Sequence, residues 1–244
     1  MAPDSLVLHD VVAGYGALTI LNGLSFAAPR GAVTTLIGAN GAGKSTVLKT
    51  VFGLVRPRSG DIRFEDESIA GLAPRDLLAR GLVFVPQGRN LFPTLTVRHN
   101  LELGGITLRD KALLGQRMDA VFARFKRLAE RADQQASTLS GGEQKMLEIG
   151  RALLLEPKVL LVDEPSIGLA PKVIAEVFAI LRDLAREGVT VLMVEQNVKS
   201  ALAISGKAVA LEQGRVAIEG PAQSVRDDPR IGALFLGGHV AIAP

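Results

Sequence analysis

The strongest constraint on this chain is a nine-residue stretch, Gly38-Ala-Asn-Gly-Ala-Gly-Lys-Ser-Thr46. It follows the apolar run Val33–Ile37, and helical periodicity begins at Gly43. Gly38-x4-Gly43-Lys44-Ser45 between a strand and a helix is the spacing of a phosphate-binding loop. Glycines at 38, 41 and 43 let the main chain curl until successive N–H groups, those of Asn40 and Ala42 among them, face one anion. Lys44 adds a cation at the outer phosphates, the Ser45 hydroxyl is a ligand for Mg2+, and Thr46 completes the cradle. Such a loop belongs to an α/β core.

It also calls for a carboxylate at the end of another core strand. Lys158-Val-Leu-Leu-Val-Asp163-Glu164 supplies two. Asp163 is suited to hold the water shell of the metal, and Glu164 to orient and polarise an attacking water. These residues together predict hydrolysis of a nucleoside triphosphate. Tyr15 is the only tyrosine in a chain without tryptophan. Between Gly14 and Gly16 its ring is free to lie on a base; packing at the core rim is the alternative.

A second glycine-rich stretch, Leu139-Ser140-Gly141-Gly142-Glu143-Gln144, also opens a helical pattern. Ser140 and Glu143 have the spacing of a capping box. A capping box does not account for two glycines, which weaken a helix unless something must approach the backbone closely. Bare N–H groups and a serine hydroxyl at a helix N-terminus can bind a phosphate. Yet Lys44, Asp163 and Glu164 already serve one nucleotide.

Hydrophobic residues make up 48% and charged residues 22%, the balance of an ordinary globular chain. The 28 basic and 25 acidic residues are interspersed, and without a basic stripe no nucleic-acid partner is expected. The absence of cysteine excludes disulfides and thiolate chemistry. The opening Met-Ala-Pro-Asp-Ser lacks a signal-peptide pattern, and runs such as Val159–Val162 are too short to cross a bilayer. A cytosolic chain is expected, with any membrane role arising through a partner.

Apolar runs at 6–12, 20–28, 33–37, 60–64, 81–85, 158–162, 189–194, 207–211 and 215–219 predict strands. Helical periodicity covers 43–53, 117–131, 141–155, 171–187 and 195–204. The expectation is a single α/β domain over 1–244, with a mixed core sheet and an antiparallel N-terminal β region. Its core would comprise 1–87 and 156–244, interrupted by a helical subdomain at 88–155 that carries Ser140–Glu143.

Taken together, the loop 38–46, Gln87 after a strand, Leu139-Ser-Gly-Gly-Glu143, Asp163-Glu164 and Ser166-Ile-Gly-Leu169 resemble the ABC ATPase family in order and spacing. The resemblance implies ATP and Mg2+ as cofactors and a P-loop NTPase fold with a RecA-like core. In that family the second cradle closes over the ATP of the opposite subunit in a head-to-tail dimer. One chain then carries half of each of two sites, which is why it has two cradles. The resemblance further implies that Tyr15 stacks on adenine, that Gln87 touches Mg2+ and the attacking water, and that Ser166–Leu169 lines the dimer seam. At Gln196 most of the family has a histidine that contacts the γ-phosphate. Glutamine offers a donor and an acceptor but takes up no proton near neutral pH, so it would position rather than transfer. Capping of the following helix is the alternative reading.

Only about fifty residues separate Gln87 from Ser140, which leaves no room for the coiled coil of a DNA-repair ATPase. Phe84-Val-Pro-Gln-Gly-Arg89, Leu91-Phe-Pro93, Gly142-Glu-Gln-x-Met-Leu147, Asp163-Glu-Pro-Ser-x-Gly-Leu-Ala-Pro171 and Val194-Glu-Gln-Asn197 look like the second ATPase of branched-chain amino acid importers. This likeness implies a related ATPase (or a second copy) as dimer partner, two transmembrane permease subunits and an extracytoplasmic solute-binding protein. The chain would sit peripherally on the cytoplasmic side of the inner membrane and dock through 87–97. Urea and short-chain amide importers are close alternatives, and a soluble ATPase of iron–sulfur cluster assembly is a more distant one. His99 departs from the acid usual in such relatives and is expected at the surface.

Overall fold

The computed structural model describes residues 4–88 and 90–235. Arg89, which closes the motif 84–89, and both ends of the chain lie outside them. β1 (Asp4–Tyr15) and β2 (Leu18–Pro29) form a long antiparallel hairpin. β3 (Val33–Ile37) leads through the glycine loop into α1 (Lys44–Val51). β4 (Ser59–Phe64) and β5 (Glu67–Ser68) complete a four-stranded antiparallel sheet, β2-β1-β4-β5. α2 (Pro74–Ala79) then precedes β6 (Leu82–Val85).

Every element from β6 to the next strand is helical among the described residues. These are α3 (Val97–Gly104), α4 (Lys111–Arg124), α5 (Lys126–Glu130), a 3-10 turn at Ala136–Thr138 and α6 (Gly141–Leu153). Strand and helix then alternate: β7 (Val159–Asp163), α7 (Pro171–Arg186), β8 (Thr190–Val194), α8 (Val198–Leu202) and β9 (Lys207–Glu212). β10 (Arg215–Pro221), α9 (Ala222–Arg226) and α10 (Arg230–Phe235) follow. The second sheet runs β10-β9-β3-β8-β7-β6, parallel except for β10 at one edge.

Strand alternation decides which layer each core residue joins. On β7, Val159 and Leu161 pack with α1 and the antiparallel sheet, while Leu160 and Val162 pack with α6 and α7. On β8 the split is Leu192 and Val194 against Val191 and Met193. A strand buried on both faces reads as an unbroken apolar run, which is how these two appear in the sequence. β1 faces one layer only, and its inward phase slips from Leu6 and Leu8 to Val11 and Ala13. The slip occurs at Asp10, whose φ of 47° marks a bulge in the pairing. Opposite stands Gly60, where a Cβ would come within 2.4 Å of the Asp10 carbonyl oxygen.

Several predicted boundaries move. The helix expected from Gly43 starts at Lys44, with Gly43 as a left-handed cap at φ 99°. The stretch expected as one helix over 117–131 is two, α4 and α5, broken at Phe125 (φ −113°, ψ 72°). The helix expected from 195 begins at Val198, because Glu195 and Gln196 are spent on side-chain contacts and Asn197 caps α8.

Candidate active site

Strands β3, β7 and β8 lie side by side and parallel, so their carboxyl ends open on one edge of the sheet. Ligands of open α/β sheets bind at such an edge. The pairing Asp163↔Val194 and Leu36↔Val194 brings three loops together there: 38–43, 164–169 and 195–197.

In the glycine loop, φ values of 145°, 84° and 99° at Gly38, Gly41 and Gly43 are ones that L side chains rarely adopt. A Cβ on Gly38 would also lie 2.3 Å from the Leu211 carbonyl oxygen. Gly43 is closed in by Leu21 and Ile20 of β2, so the hairpin leans on the loop. The buried Lys44 ammonium folds back to donate to the Gly38 and Ala39 carbonyls at 2.8 and 3.0 Å. Burial lowers its pKa, while Glu164 and Asp163 raise it. One helical residue later, the Ser45 hydroxyl donates to Asp163 Oδ1 at 3.0 Å. Burial also pushes the Asp163 carboxyl up; the Ser45 hydrogen bond opposes this and the neighbouring Glu164 adds to it.

Glu164 has φ 47°, a left-handed conformation uncommon for a residue with a side chain. Its N–H donates to the Val194 carbonyl at 2.9 Å, which pins the turn. Its carboxylate is held from both sides: Gln87 Nε2 donates to Oε2 and Gln196 Nε2 to Oε1, each at 2.7 Å. Six residues named from the sequence, Lys44, Ser45, Gln87, Asp163, Glu164 and Gln196, therefore meet at one place. Gln196 is not the cap of α8; the Asn197 side chain takes that task by accepting from Ser200 N–H. Tyr15 ends β1 with 47% of its surface exposed rather than packed at the core rim. Arg58 secures its turn by donating to the Gly16 and Leu18 carbonyls at 2.7 and 3.1 Å.

The second cradle is built separately. Ser140 Oγ accepts from Glu143 N–H and Glu143 Oε2 accepts from Ser140 N–H, a complete capping box. Burial works against the Glu143 charge, but hydrogen bonds from Ser140 and the nearby Arg131 and Arg127 hold the carboxyl below its usual range. The two glycines differ. A Cβ on the buried Gly142 would reach within 2.4 Å of Val173 Cγ1, so packing alone demands a glycine there. A Cβ on the exposed Gly141 would meet only Leu169 Cδ2, at an ordinary 3.4 Å. Among the described residues, no hydrogen bond joins Ser140 or Glu143 to the cluster around Glu164.

Residues 21–167, which span the glycine loop, Ser140–Glu143 and Asp163-Glu164, match the family model described as ABC transporter. The chain belongs to the ABC transporter family. It is 46% identical over 224 residues to the high-affinity branched-chain amino acid transport ATP-binding protein BraG of Pseudomonas aeruginosa, covering 92% of this chain and 96% of that protein. The probable branched-chain amino acid transport ATP-binding protein LivF of Archaeoglobus fulgidus is 37% identical, with coverages of 92% and 95%. A solved ATP-binding cassette of an ABC transporter, in its ADP conformation, superposes with a TM-score of 0.89 at 27% identity, covering 97% of this chain and 100% of that one. This ABC subunit is accordingly an ATPase. No helix among its described residues is long and apolar enough to cross a membrane.

Sequence reasoning missed the contacts that hold this ABC ATPase's site from behind. Glu195, 1% exposed, accepts hydrogen bonds from the loops on both sides of Glu164. The buried pair Lys145 and Glu148 on α6 grips the loop after Gln87, with Glu148 Oε1 accepting from Asn90 N–H at 2.7 Å. Arg151, one turn on, donates to the Asn90 carbonyl at 2.5 Å. The available signal was three charged residues on the core-facing side of an amphipathic helix.

Proposed function

We propose that the chain is one of two ATP-hydrolysing subunits that drive branched-chain amino acid uptake through membrane permeases. The observation that carries the enzymatic half is the Glu164 carboxylate, fixed on both oxygens beside the Lys44 loop. Gln87 and Gln196, 77 and 32 residues away in sequence, each donate an amide N–H to that carboxylate. The named solute follows the relatives, since nothing in this site would touch it.

On this reading, the N–H groups of 38–46 and the Lys44 ammonium hold the β- and γ-phosphates, and Tyr15 stacks on adenine. Lys44 would exchange its two carbonyl partners for phosphate oxygens, which restores a charge partner to a buried cation. A hydroxyl and a buried carboxylate 3.0 Å apart are a donor set suited to Mg2+. Ser45, Asp163 and the Gln87 carbonyl oxygen would hold the ion, with the phosphates and water supplying the remaining ligands. Bound there, it would neutralise charge developing on the phosphate oxygens. Glu164 accepts the proton of the attacking water, and the amides of Gln87 and Gln196 keep its oxygens aimed. Gln196 has no proton to exchange near neutral pH and acts by position.

Ser140, Gly141 and Gly142 would close over the γ-phosphate held by the second ATPase, and that subunit's equivalent cradle would complete this site. The helical subdomain 88–155 would carry this movement. Its docking face toward the permeases would be the cleft of about 300 Å³ lined by Phe52, Leu78, Phe84, Asn90, Arg151 and Leu155, where the Arg151 guanidinium also lies over the ring of the half-exposed Phe92. A solute-binding protein outside the membrane would deliver the amino acid.

The test is native purification of the complex, with subunits counted by mass, followed by uptake assays in vesicles. Co-purification with two permeases and a second ATPase, and ATP-dependent leucine uptake, is expected. Uptake of urea or an amide instead would replace the solute. A stable soluble homodimer with no membrane partner would overturn the importer reading.

A further inference from the structure

Glu195 is buried just past β8, and the chemistry above gives it no task. Its carboxylate receives four hydrogen bonds. Ser166 N–H donates to Oε1 at 2.9 Å; the Ser166 hydroxyl, Gln196 N–H and Asn197 N–H donate to Oε2 at 2.8, 3.0 and 3.1 Å. A charge so buried is costly unless every lone pair is used, and here one side chain uses them to tie two loops together. One loop follows Glu164 and leads through Leu169 into α7, where Val173 stands; these two side chains lie against Gly141 and Gly142 at the start of α6. The other presents Gln196, whose amide holds Glu164 at 2.7 Å. A continuous set of contacts thus runs from the cradle at 140–142, exposed at Ser140 and Gly141, through Ser166 and Glu195 to Glu164.

We propose that Glu195 is a positioning residue: it makes the aim of Gln196 on Glu164 depend on where the Ser166 loop sits. Closure of the second ATPase over Gly141 would then be felt at this chain's own proton acceptor. The proposal rests on the reading of Glu164 given above.

Glu195→Gln places an amide N–H2 against buried N–H donors, so at least one of the four loses its acceptor. In the assembled transporter, kcat should fall about tenfold or more while KM for ATP stays within about twofold, because the loop 38–46 is untouched. A second route does not disturb the charge. Ser166→Ala should lower kcat less, and Ser166→Ala with Gln196→Ala should lose no more than Gln196→Ala alone, since Ser166 acts through Glu195 on the aim of the Gln196 amide, which that variant has already removed. Wild-type kcat in a folded Glu195→Gln complex would overturn the proposal. If that variant does not fold, the Ser166/Gln196 cycle decides alone, and losses that multiply would overturn it. Glu164→Gln run in parallel separates the two levels. Undiminished turnover there would sink the reading of the base, whereas lost turnover there with multiplying losses here would sink only the role of Glu195.

Discussion

Gly141 and Gly142 are adjacent, yet only one of them is explained by this chain's own packing. Gly142→Ala would drive a methyl into Val173 and should cost about 1–3 kcal/mol of stability, partly recovered by Val173→Ala in the same chain. Gly141→Ala meets open contact and should leave stability within about 0.5 kcal/mol of wild type. If a second nucleotide approaches there, the same methyl should nonetheless depress turnover of the assembled complex. Thermal melts and ATPase rates of the two variants check both statements. Asp163 makes a related point about cost. Its pKa is raised in the folded chain by burial first, so its ionisation opposes folding at neutral pH. Asp163→Asn keeps an acceptor for Ser45 and should raise the melting temperature of the nucleotide-free protein while removing stabilisation by Mg2+ with ATP. That gain should be full above the raised pKa and vanish as pH falls below the ordinary carboxylate range, where the wild-type group is neutral in both states.

At the scale of elements, the sites are set by how α6 meets the loop behind β6. Glu148 and Lys145 are each about 6% exposed, so each depends on the other. Glu148→Ala would leave a buried ammonium unpaired and should cost about 3–5 kcal/mol in chemical denaturation, and the Lys145→Met/Glu148→Leu double variant should cost less than that single change. Elements were legible where their signal is local. β3, β7 and β8 are buried on both faces and read as apolar runs; α7 carries a long amphipathic stripe. α3 shows no readable periodicity because it spans only two turns, although Thr96 caps it by accepting from His99 N–H. The break at Phe125 is hidden because its neighbours on both sides keep helical composition. The contacts of Gln87, Gln196 and Glu195 with Glu164 and Ser166 are long-range pairings. A motif can place those residues in a list, but it is the parallel register of β6, β7 and β8 that brings them to within 3 Å of their partners.

At the scale of the molecule, one chain presents a cluster around Glu164 on the sheet edge and a separate cradle at the head of α6. On the proposed mechanism, this cluster hydrolyses ATP with Glu164 as proton acceptor, inside a site that a second ATPase completes. The most direct measurement is bound-nucleotide analysis of the assembled transporter carrying Glu164→Gln, after incubation with ATP and Mg2+. ATP is expected to stay occluded and intact at each variant site, with the two ATPases held together. Formation of ADP at those sites at the wild-type rate would contradict it.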